Sequence, residues 1–363
     1  MSRLTEDIQM YNFKVKSSIC DYDVQFIDDF EQLLASELAE GDFIIVDNKI
    51  KHLYGAQLSS VLEKYQHIGI DATEFQKSYQ GIIPIIQSLI ENGFKKNYRL
   101  VAIGGGITQD ITAFISSIMY RGVKWIFFPT TLLSQGDSCI GSKTSINFGE
   151  YKNQVGGFYP PEKIFICPKF IDTLSDFDIK SGMGEMLHYF IVSSKKDFIF
   201  YKKSFEQAMV DKNIMSEIIM RSLEIKKKYI EADEFDQNIR QVFNYGHSFG
   251  HAIESLTYYK IPHGIAVSFG MDISNFISVR MGLISEEIRK EIREVLEIIW
   301  KGYSINNIDI QLFKKALSKD KKNVGSRLGI ILNNGYGNIF KNVMDNDKKL
   351  TLWLEEYFSK EVG

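Results

Sequence analysis

Four short apolar runs, each stopped by glycine, proline or an acidic turn, constrain the first half of this 363-residue chain more than any other feature. FIIVDNKI (43–50), RLVAIGGG (99–106), VKWIFFPTT (123–131) and KIFICP (163–168) read as strands. Segments between them, such as IIPIIQSLIENG and DITAFISSIMYRG, carry helical periodicity. Strand and helix alternating at regular intervals predict a mostly parallel sheet with helices on its faces. From about residue 175 the pattern turns helical, as in SEIIMRSLEIKKKYIEADE and EEIRKEIREVLEIIW, and Pro262 is the only proline beyond Pro168. The change of texture places a boundary within 170–178. The expected fold is therefore an α/β domain over 1–174 followed by an all-helical domain over 175–363.

Composition narrows the function. With 43 Lys+Arg against 46 Asp+Glu the net charge is -3, which lacks the basic footprint of a general nucleic-acid binder. Cys20, Cys139 and Cys167 show no paired spacing, so neither a disulfide framework nor a thiolate zinc site is expected, and a reducing cytoplasm is the natural setting. The opening MSRLTEDIQMYNF has no apolar core of a leader, and no run reaches the length of a membrane span.

Chemistry-bearing residues gather at strand ends. GGGITQD (104–110) follows one strand and opens a helix, an arrangement that either cradles a phosphate on helix N–H groups or simply makes a turn. The spacing is not the GxGxxG of the ordinary dinucleotide fingerprint. Asp110 falls in the first turn of the following helix, where it can meet a hydroxyl. PTTLLSQGD (129–137) puts the hydroxyls of Thr130 and Thr131 after the next strand, as cofactor donors or as helix caps. Asp47, Glu74 and Lys77 are candidates for an adenosine end.

In the second half, three of the six histidines lie within 247–263. His247 and His251 are four apart and share a helix face, and His263 follows a short connection. With Glu185, flanked by glycine in SGMGEMLHY, they offer imidazole and carboxylate donors for a zinc-like ion; backbone-bonded buried histidines are the competing reading. SKTSINFGEYKNQVGGFY brings Lys143, Asn147, Lys152 and Asn153 onto a glycine-rich loop. Arg240 and Asn244 precede His247. Lys226 lies in EIKKKYIEADE, which taken alone reads as a solvated helix face.

The stretches GGGITQDITAF, YRGVKWIFFPTTLLSQGDSCIGSKTSIN, YKNQVGGFYPP, GEMLHY, RQVFNYGHSFGHAIE and IPHGIAV, in this order, resemble the 3-dehydroquinate synthase family within the sugar-phosphate cyclases. The resemblance spans roughly residues 43–330. It implies an NAD-binding α/β domain, a helical metal-binding domain, an active site between them and a homodimer. The ligands of a divalent zinc or cobalt ion would be Glu185, His247 and His263, which moves His251 from ligand to substrate-side histidine. Substrate contacts would fall on Asp137, Lys143, Asn153, Lys226, Arg240, Asn244, His251 and Lys321 or Lys322. Arg121 would arrive from the second copy. NAD+ would meet Asp47, Glu74, Lys77, Gly105, Gly106, Asp110, Thr130, Thr131, Lys152 and Thr173.

Two residues depart from the family pattern: His188 stands where a lysine is usual, and Asp236 where a glutamate is; His188 is expected to contact the substrate, with orientation of Glu185 from i+3 or plain packing as the alternatives. The implied reaction converts 3-deoxy-D-arabino-heptulosonate 7-phosphate to 3-dehydroquinate and phosphate. Another sugar-phosphate cyclase of secondary metabolism and a metal-dependent polyol dehydrogenase are the rivals. Cyclases whose substrates lack a carboxylate tend to alter the positions of Lys226, Arg240 and Asn244, and this chain keeps all three.

Overall fold

The computed structural model describes residues 10–149, 151–318, 323 and 327–361. The chain falls into two compact units, Met1–Leu174 with Met215–Phe235, and Ser175–Ile214 with Asp236–Gly363. The first is built on a seven-stranded sheet. Its strands are β1 (Phe13–Val15), β2 (Tyr22–Phe26), β3 (Phe43–Asp47), β4 (Gln66–Ile70), β5 (Arg99–Gly104), β6 (Lys124–Pro129) and β9 (Lys163–Ile166), in the order β1-β2-β9-β6-β5-β3-β4. All neighbours run parallel except β1 against β2. The apolar runs are strands because both faces are covered: residues 43–46 of β3 and 100–104 of β5 are all buried.

One face packs Ile44, Val46, Val101, Ile103, Ile126, Phe128 and Phe165 against helices α1 (Phe30–Glu37), α2 (Asn48–Leu53) and α3 (Gly55–Lys64). From β3 the chain winds outward to β4, then crosses back through α4 (Tyr79–Glu91) to β5 on the other side of β3. The carboxyl ends of β3 and β5 therefore flank a switch point, the place where open α/β sheets bind ligands. Helix α5 (Gly106–Ile118) starts there.

Two expectations change. SKTSINFGEYKNQVGGFY is not a loop but an antiparallel hairpin, β7 (Lys143–Phe148) with β8 (Tyr151–Phe158), because Thr144 and Ile146 alternate inward and Gly149 takes the left-handed turn (φ +58°). Helix α8 (Lys212–Ala232) groups from Met215 onward with the sheet, although it was read with the helical half. Its Ser222 hydroxyl donates to Gly136 O at 2.8 Å and its Lys226 reaches Asp137, contacts between residues too distant in sequence for periodicity to register.

The second unit is helical: α6 (Asp176–Ser193), α7 (Lys195–Ala208), α9 (His247–Leu256), α10 (His263–Arg280), α11 (Glu286–Trp300), α12 (Ile310–Ser318) and α13 (Lys348–Lys360). It departs from all-helical in one hairpin, β10 (Arg327–Asn333) with β11 (Ile339–Asp345). Helix α6 is buried on every side from Ser181 to Val192, and α10 from Gly264 to Ser278. They touch through glycine. A Cβ on Gly264 would stand 1.8 Å from Ser181 O, and one on Gly184 2.4 Å from Gly264 O. At the α9–α10 crossing, a Cβ on Gly270 would stand 2.0 Å from Gly246 O.

Gly264→Ala must push two backbones apart, and denaturant titration is expected to show a loss of at least ~3 kcal/mol, the upper end for overpacking. Gly55→Ala meets no atom within 4 Å. It should shift stability by no more than about 1 kcal/mol, in the stabilising direction. Equal losses for the two would refute the packing argument.

The three cysteines are free. Burial pushes the Cys139 thiol up to about 12 and the Cys167 thiol up to about 11, so neither forms thiolate near neutrality. A disulfide-exchange reagent at mildly alkaline pH should count one fast thiol, Cys20, in the native protein and all three after unfolding.

Candidate metal and substrate site

A helix buried all round has no polar face, so each charged group inside it needs a partner. In α10, Asp272 is fully buried and saturated. It accepts from Arg289 Nε (3.1 Å) and Nη2 (3.1 Å), Arg293 Nη1 (3.1 Å) and the Tyr357 hydroxyl (3.0 Å). In α6, Glu185 is 2% exposed and its Oε2 makes no hydrogen bond among the described residues. What faces Glu185 instead is imidazole: His247 Nε2 lies 3.2 Å from Oε1 and His263 Nε2 lies 3.4 Å from Oε2.

This donor set fits a divalent ion. Two ligands each roughly 2.0–2.1 Å from a tetrahedral ion lie about 3.3 Å apart. One ligand atom from each of Glu185, His247 and His263 falls within 4.8 Å of the others. The far ring nitrogens are also committed. His247 Nδ1 is 3.3 Å from Tyr245 O and His263 Nδ1 is 3.0 Å from Glu254 Oε2, so each Nδ1–H has an acceptor and each Nε2 is the nitrogen left to ligate an ion beside Glu185. Burial alone would push the Glu185 carboxyl up, yet His247, His263 and His188 together hold it below the ordinary carboxylate range. It stays ionised and ready to ligate.

Around this set the structure places the other singled-out residues of the second unit. His188, one turn along α6, is 1% exposed, with Nδ1 3.8 Å from Glu185 Oε1 and its ring against Tyr189 and Phe243. His251 is exposed on α9, its ring 5.6 Å from those of His247 and His263. Arg240 (4% exposed) and Asn244 lie on the 3₁₀ turn Ile239–Asn244 that leads into α9. Asp236 takes a left-handed backbone (φ +57°) just before it. Lys321 and Lys322 fall outside the described residues.

Glu254 is the residue the sequence reading missed. It lies on α9 at the spacing His247, His251, Glu254, which is i, i+4, i+7 and therefore one helix face. That spacing was the available signal; attention to histidine pairs alone passed over it.

In the first unit the candidate residues pair mainly with one another. Lys77 is ion-paired with Asp110 and donates to Asn153 Oδ1 at 2.7 Å. Ser145 N–H donates to Asp110 at 3.2 Å, and Ser145 Oγ lies 3.0 Å from Asn153 Oδ1. Lys152 pairs with Glu74 at 2.7 Å, and Asn147 donates to the same carboxylate at 2.7 Å. Burial raises the Glu74 carboxyl, but Lys152 and Asn147 bring it net below its ordinary value. Lys226 donates to Asp137 Oδ1 and to Asp137 O, each at 2.7 Å; only 6% of the residue is exposed, so it is no solvated helix face.

At the switch point, Asp47 caps α2 by accepting from Lys49 N–H. The triple glycine has two explanations. Gly104 and Gly105 are required by packing, since their Cβ atoms would stand 2.3 Å from Thr108 Oγ1 and 2.9 Å from Thr131 Cγ2. Gly106 is different: the nearest atom to its Cβ would be Ser138 Oγ at 3.7 Å, an ordinary van der Waals contact, so packing does not require glycine at the start of α5, which has no side-chain cap. Thr130 Oγ1 is buried and has no hydrogen-bond partner among the described residues, while Thr131 Oγ1 meets Ser134 Oγ at 2.8 Å. Thr173 lies 3.1 Å from the Tyr54 hydroxyl. Lys143 is exposed on β7. Arg121 is exposed in a left-handed run, Tyr120 (φ +49°), Arg121 (φ +64°) and Gly122 (φ +118°), where the first two positions are strained.

Sequence comparison meets the geometry here. Residues 67–181 match the family model of the 3-dehydroquinate synthase N-terminal region and residues 182–323 that of its C-terminal region. A 3-dehydroquinate synthase of Streptococcus equi subsp. equi (strain 4047) is 32% identical over 360 residues, covering 94% of this chain and 97% of the relative. The chain belongs to the 3-dehydroquinate synthase family. It is an enzyme of the NAD-dependent sugar-phosphate cyclase superfamily. Two solved structures share the family fold. One is 2-deoxy-scyllo-inosose synthase complexed with carbaglucose-6-phosphate, NAD+ and Co2+ (TM-score 0.83, 21% identity, 96% of this chain and 99% of that one). The other is 2-epi-5-epi-valiolone synthase from Streptomyces hygroscopicus subsp. jinggangensis 5008 with NAD+ and Zn2+ (0.83, 23%, 96% and 99%). Among the described residues, no helix is long and apolar enough to cross a membrane.

Glu185→Gln removes the one carboxylate shared by both imidazoles. It is expected to weaken zinc binding by more than the roughly 10–100-fold that changes outside the ligand set cost. Competition with a chromophoric chelator measures this; zinc affinity retained in the variant would exclude Glu185 as a ligand.

Proposed function

We propose that this chain is a 3-dehydroquinate synthase in the strict sense, converting 3-deoxy-D-arabino-heptulosonate 7-phosphate to 3-dehydroquinate and phosphate. The relative named above carries that activity's name, whereas the scyllo-inosose and valiolone synthases stand at lower identity. The observation that carries the choice of substrate is Arg240. This buried guanidinium lies in the same unit as the Glu185–His247–His263 set and five residues before Tyr245, whose carbonyl holds His247. Guanidinium presents parallel donors that suit a carboxylate or a phosphate.

Glu185, His247 and His263 would hold one zinc or cobalt ion, and the start of α5 with Gly106, Thr130 and Thr131 would take the phosphates of NAD+, aided by Gly105. Asp47, Glu74, Lys77, Asp110, Lys152 and Thr173 would serve the rest of the dinucleotide. When bound, the ion supplies a Lewis acid for neighbouring hydroxyls and NAD+ a hydride acceptor that is restored within the turnover. The chain's own residues bind and orient the substrate. Arg240, Lys226 and Lys143 carry positive charge for its anionic groups, while Asn153 and Asn244 offer amides to its hydroxyls. His251, exposed beside the ligand set, can take or give a proton at a ring nitrogen. Asp137 fixes the Lys226 ammonium.

His188 stands against Glu185 and supports it. Arg121 would enter from the second copy of a homodimer, and Lys321 would be a further contact to the anionic substrate. The unpaired cysteines support a cytoplasmic location.

Assays with the heptulosonate phosphate, sedoheptulose 7-phosphate and glucose 6-phosphate, with product identification, test this reading. The heptulosonate should be turned over with phosphate release and no net NADH, and Arg240→Ala should lower kcat/KM on the order of 30-fold, about 2 kcal/mol for a charged hydrogen bond. Equal turnover of the heptulosonate and sedoheptulose 7-phosphate would count against carboxylate recognition, and stoichiometric NADH would favour the polyol dehydrogenase.

A further inference from the structure

The site contains a second buried carboxylate that none of the chemistry above uses. Glu254 is 8% exposed, and its Oε2 lies 3.0 Å from His263 Nδ1. An ionised carboxylate only accepts hydrogen bonds. The proton between the two groups therefore belongs to His263 Nδ1, so an ion held by this ring would take the lone pair of Nε2, the atom 3.4 Å from Glu185 Oε2. His247 is arranged in the same sense but with a weaker partner, the neutral carbonyl of Tyr245 at 3.3 Å from its Nδ1. The two imidazoles therefore differ. His263 is polarised by a full negative charge and His247 by a dipole.

From this geometry we infer that Glu254 is a positioning residue. It fixes the ring orientation and tautomer of His263 and strengthens Nε2 as a donor, and so sets the affinity for the divalent ion. The inference rests on the metal reading above and adds a residue outside the ligand set. A carboxylate that accepts from a ligating imidazole raises the basicity of the ligand and restricts its rotation. His263 needs both effects more than His247 does: its side chain is 33% exposed against 13%, so packing alone holds it less firmly.

His251, Glu254 and His263 also form a compact donor cluster of their own. An ion there would take His263 through Nδ1. With a first ion on Nε2, the ring would have to lose both protons and bridge as imidazolate. The 3.0 Å separation is already that of a charge-assisted hydrogen bond. One ion and one hydrogen bond satisfy both ring nitrogens.

The test uses the full chain with zinc and with cobalt alone. In the wild type, nitrogen NMR of ring-labelled histidine should show His263 protonated at Nδ1 and coordinated through Nε2, with one ion per chain. Chelator competition should give weaker zinc binding in Glu254→Gln, which keeps an acceptor but loses the charge, by roughly 10-fold. Glu254→Ala, which loses both, should lose roughly 100-fold. Both variants should leave the melting midpoint of the chelator-treated protein unchanged, and the visible spectrum of the cobalt form should shift in Ala more than in Gln.

Unchanged affinity in both variants overturns the inference while leaving the metal reading intact, as does coordination through Nδ1 or a second ion per chain. Absence of zinc binding by the wild type overturns both. If neither variant folds, the wild-type ring spectrum decides alone.

Discussion

The second unit depends on helix backbones approaching more closely than any side chain permits. Each proposed ligand has a glycine beside it in sequence, and each of those glycines makes one of the close approaches: Gly184 next to Glu185, Gly246 next to His247, Gly264 next to His263. Gly184 and Gly264 bring α6 onto α10. Gly246, with Gly270, brings α9 onto α10. The contact that packs the helices is thus the contact that gathers the donors. Glutamate and histidine reach only a few ångströms from their own backbone, so separation of the helices by a methyl group would open the 3.2 and 3.4 Å approaches to Glu185. Packing density and site geometry are one constraint here.

The same helices show how a buried acid is recognised as structural or functional. Asp272 and Glu185 are equally removed from water. Asp272 is surrounded by two guanidiniums and a phenol and has no capacity left, so it ties α10 to α11 and α13. Glu185 keeps an oxygen that no hydrogen bond satisfies among the described residues and is kept ionised by imidazoles. A buried acceptor left unsatisfied costs about 1–3 kcal/mol. An arrangement that carries such a cost answers to a positive ligand. Sequence labels both simply as acids on apolar helices.

Legibility followed the same physical divide. The strands and the helical second half could be read because short apolar runs closed by turn residues are distinctive, and six histidines with three inside 247–263 marked the site, while the choice of Glu185, His247 and His263 over His251 came with the family resemblance. Lys226 was ambiguous: KKKY has the look of a solvated face, and the contact that shows otherwise is with Asp137, 89 residues away. The same kind of long-range contact draws α8 onto the sheet unit. The β7–β8 hairpin was hidden because its outward face is polar and its inward alternation short. Glu254 is legible only as the i+7 member of the His247 face, a spacing that histidine pairs alone do not bring out, because it accepts a hydrogen bond from an imidazole rather than facing Glu185 itself.

Three pairs among the charges singled out in the first unit are already formed, Lys77–Asp110, Lys152–Glu74 and Lys226–Asp137, and this bears on what binding must do there. Lys152–Glu74 is substantially exposed, with side chains 31% and 46% accessible. Exposed pairs are worth about 0–1 kcal/mol, so a ligand can exchange that partner at little cost. Lys77–Asp110 and Lys226–Asp137 are mostly buried, at 7% and 21%, and 8% and 16%. Breaking either by removing one member would strand a charge, which is far costlier than losing a surface pair. A ligand that engages these groups therefore gains by adding hydrogen bonds to the intact pairs rather than replacing a partner. Lys77 already works in this way, bonding Asp110 and the Asn153 amide together. The pairs hold each ammonium in one place before any substrate arrives, and so lower the ordering cost of binding.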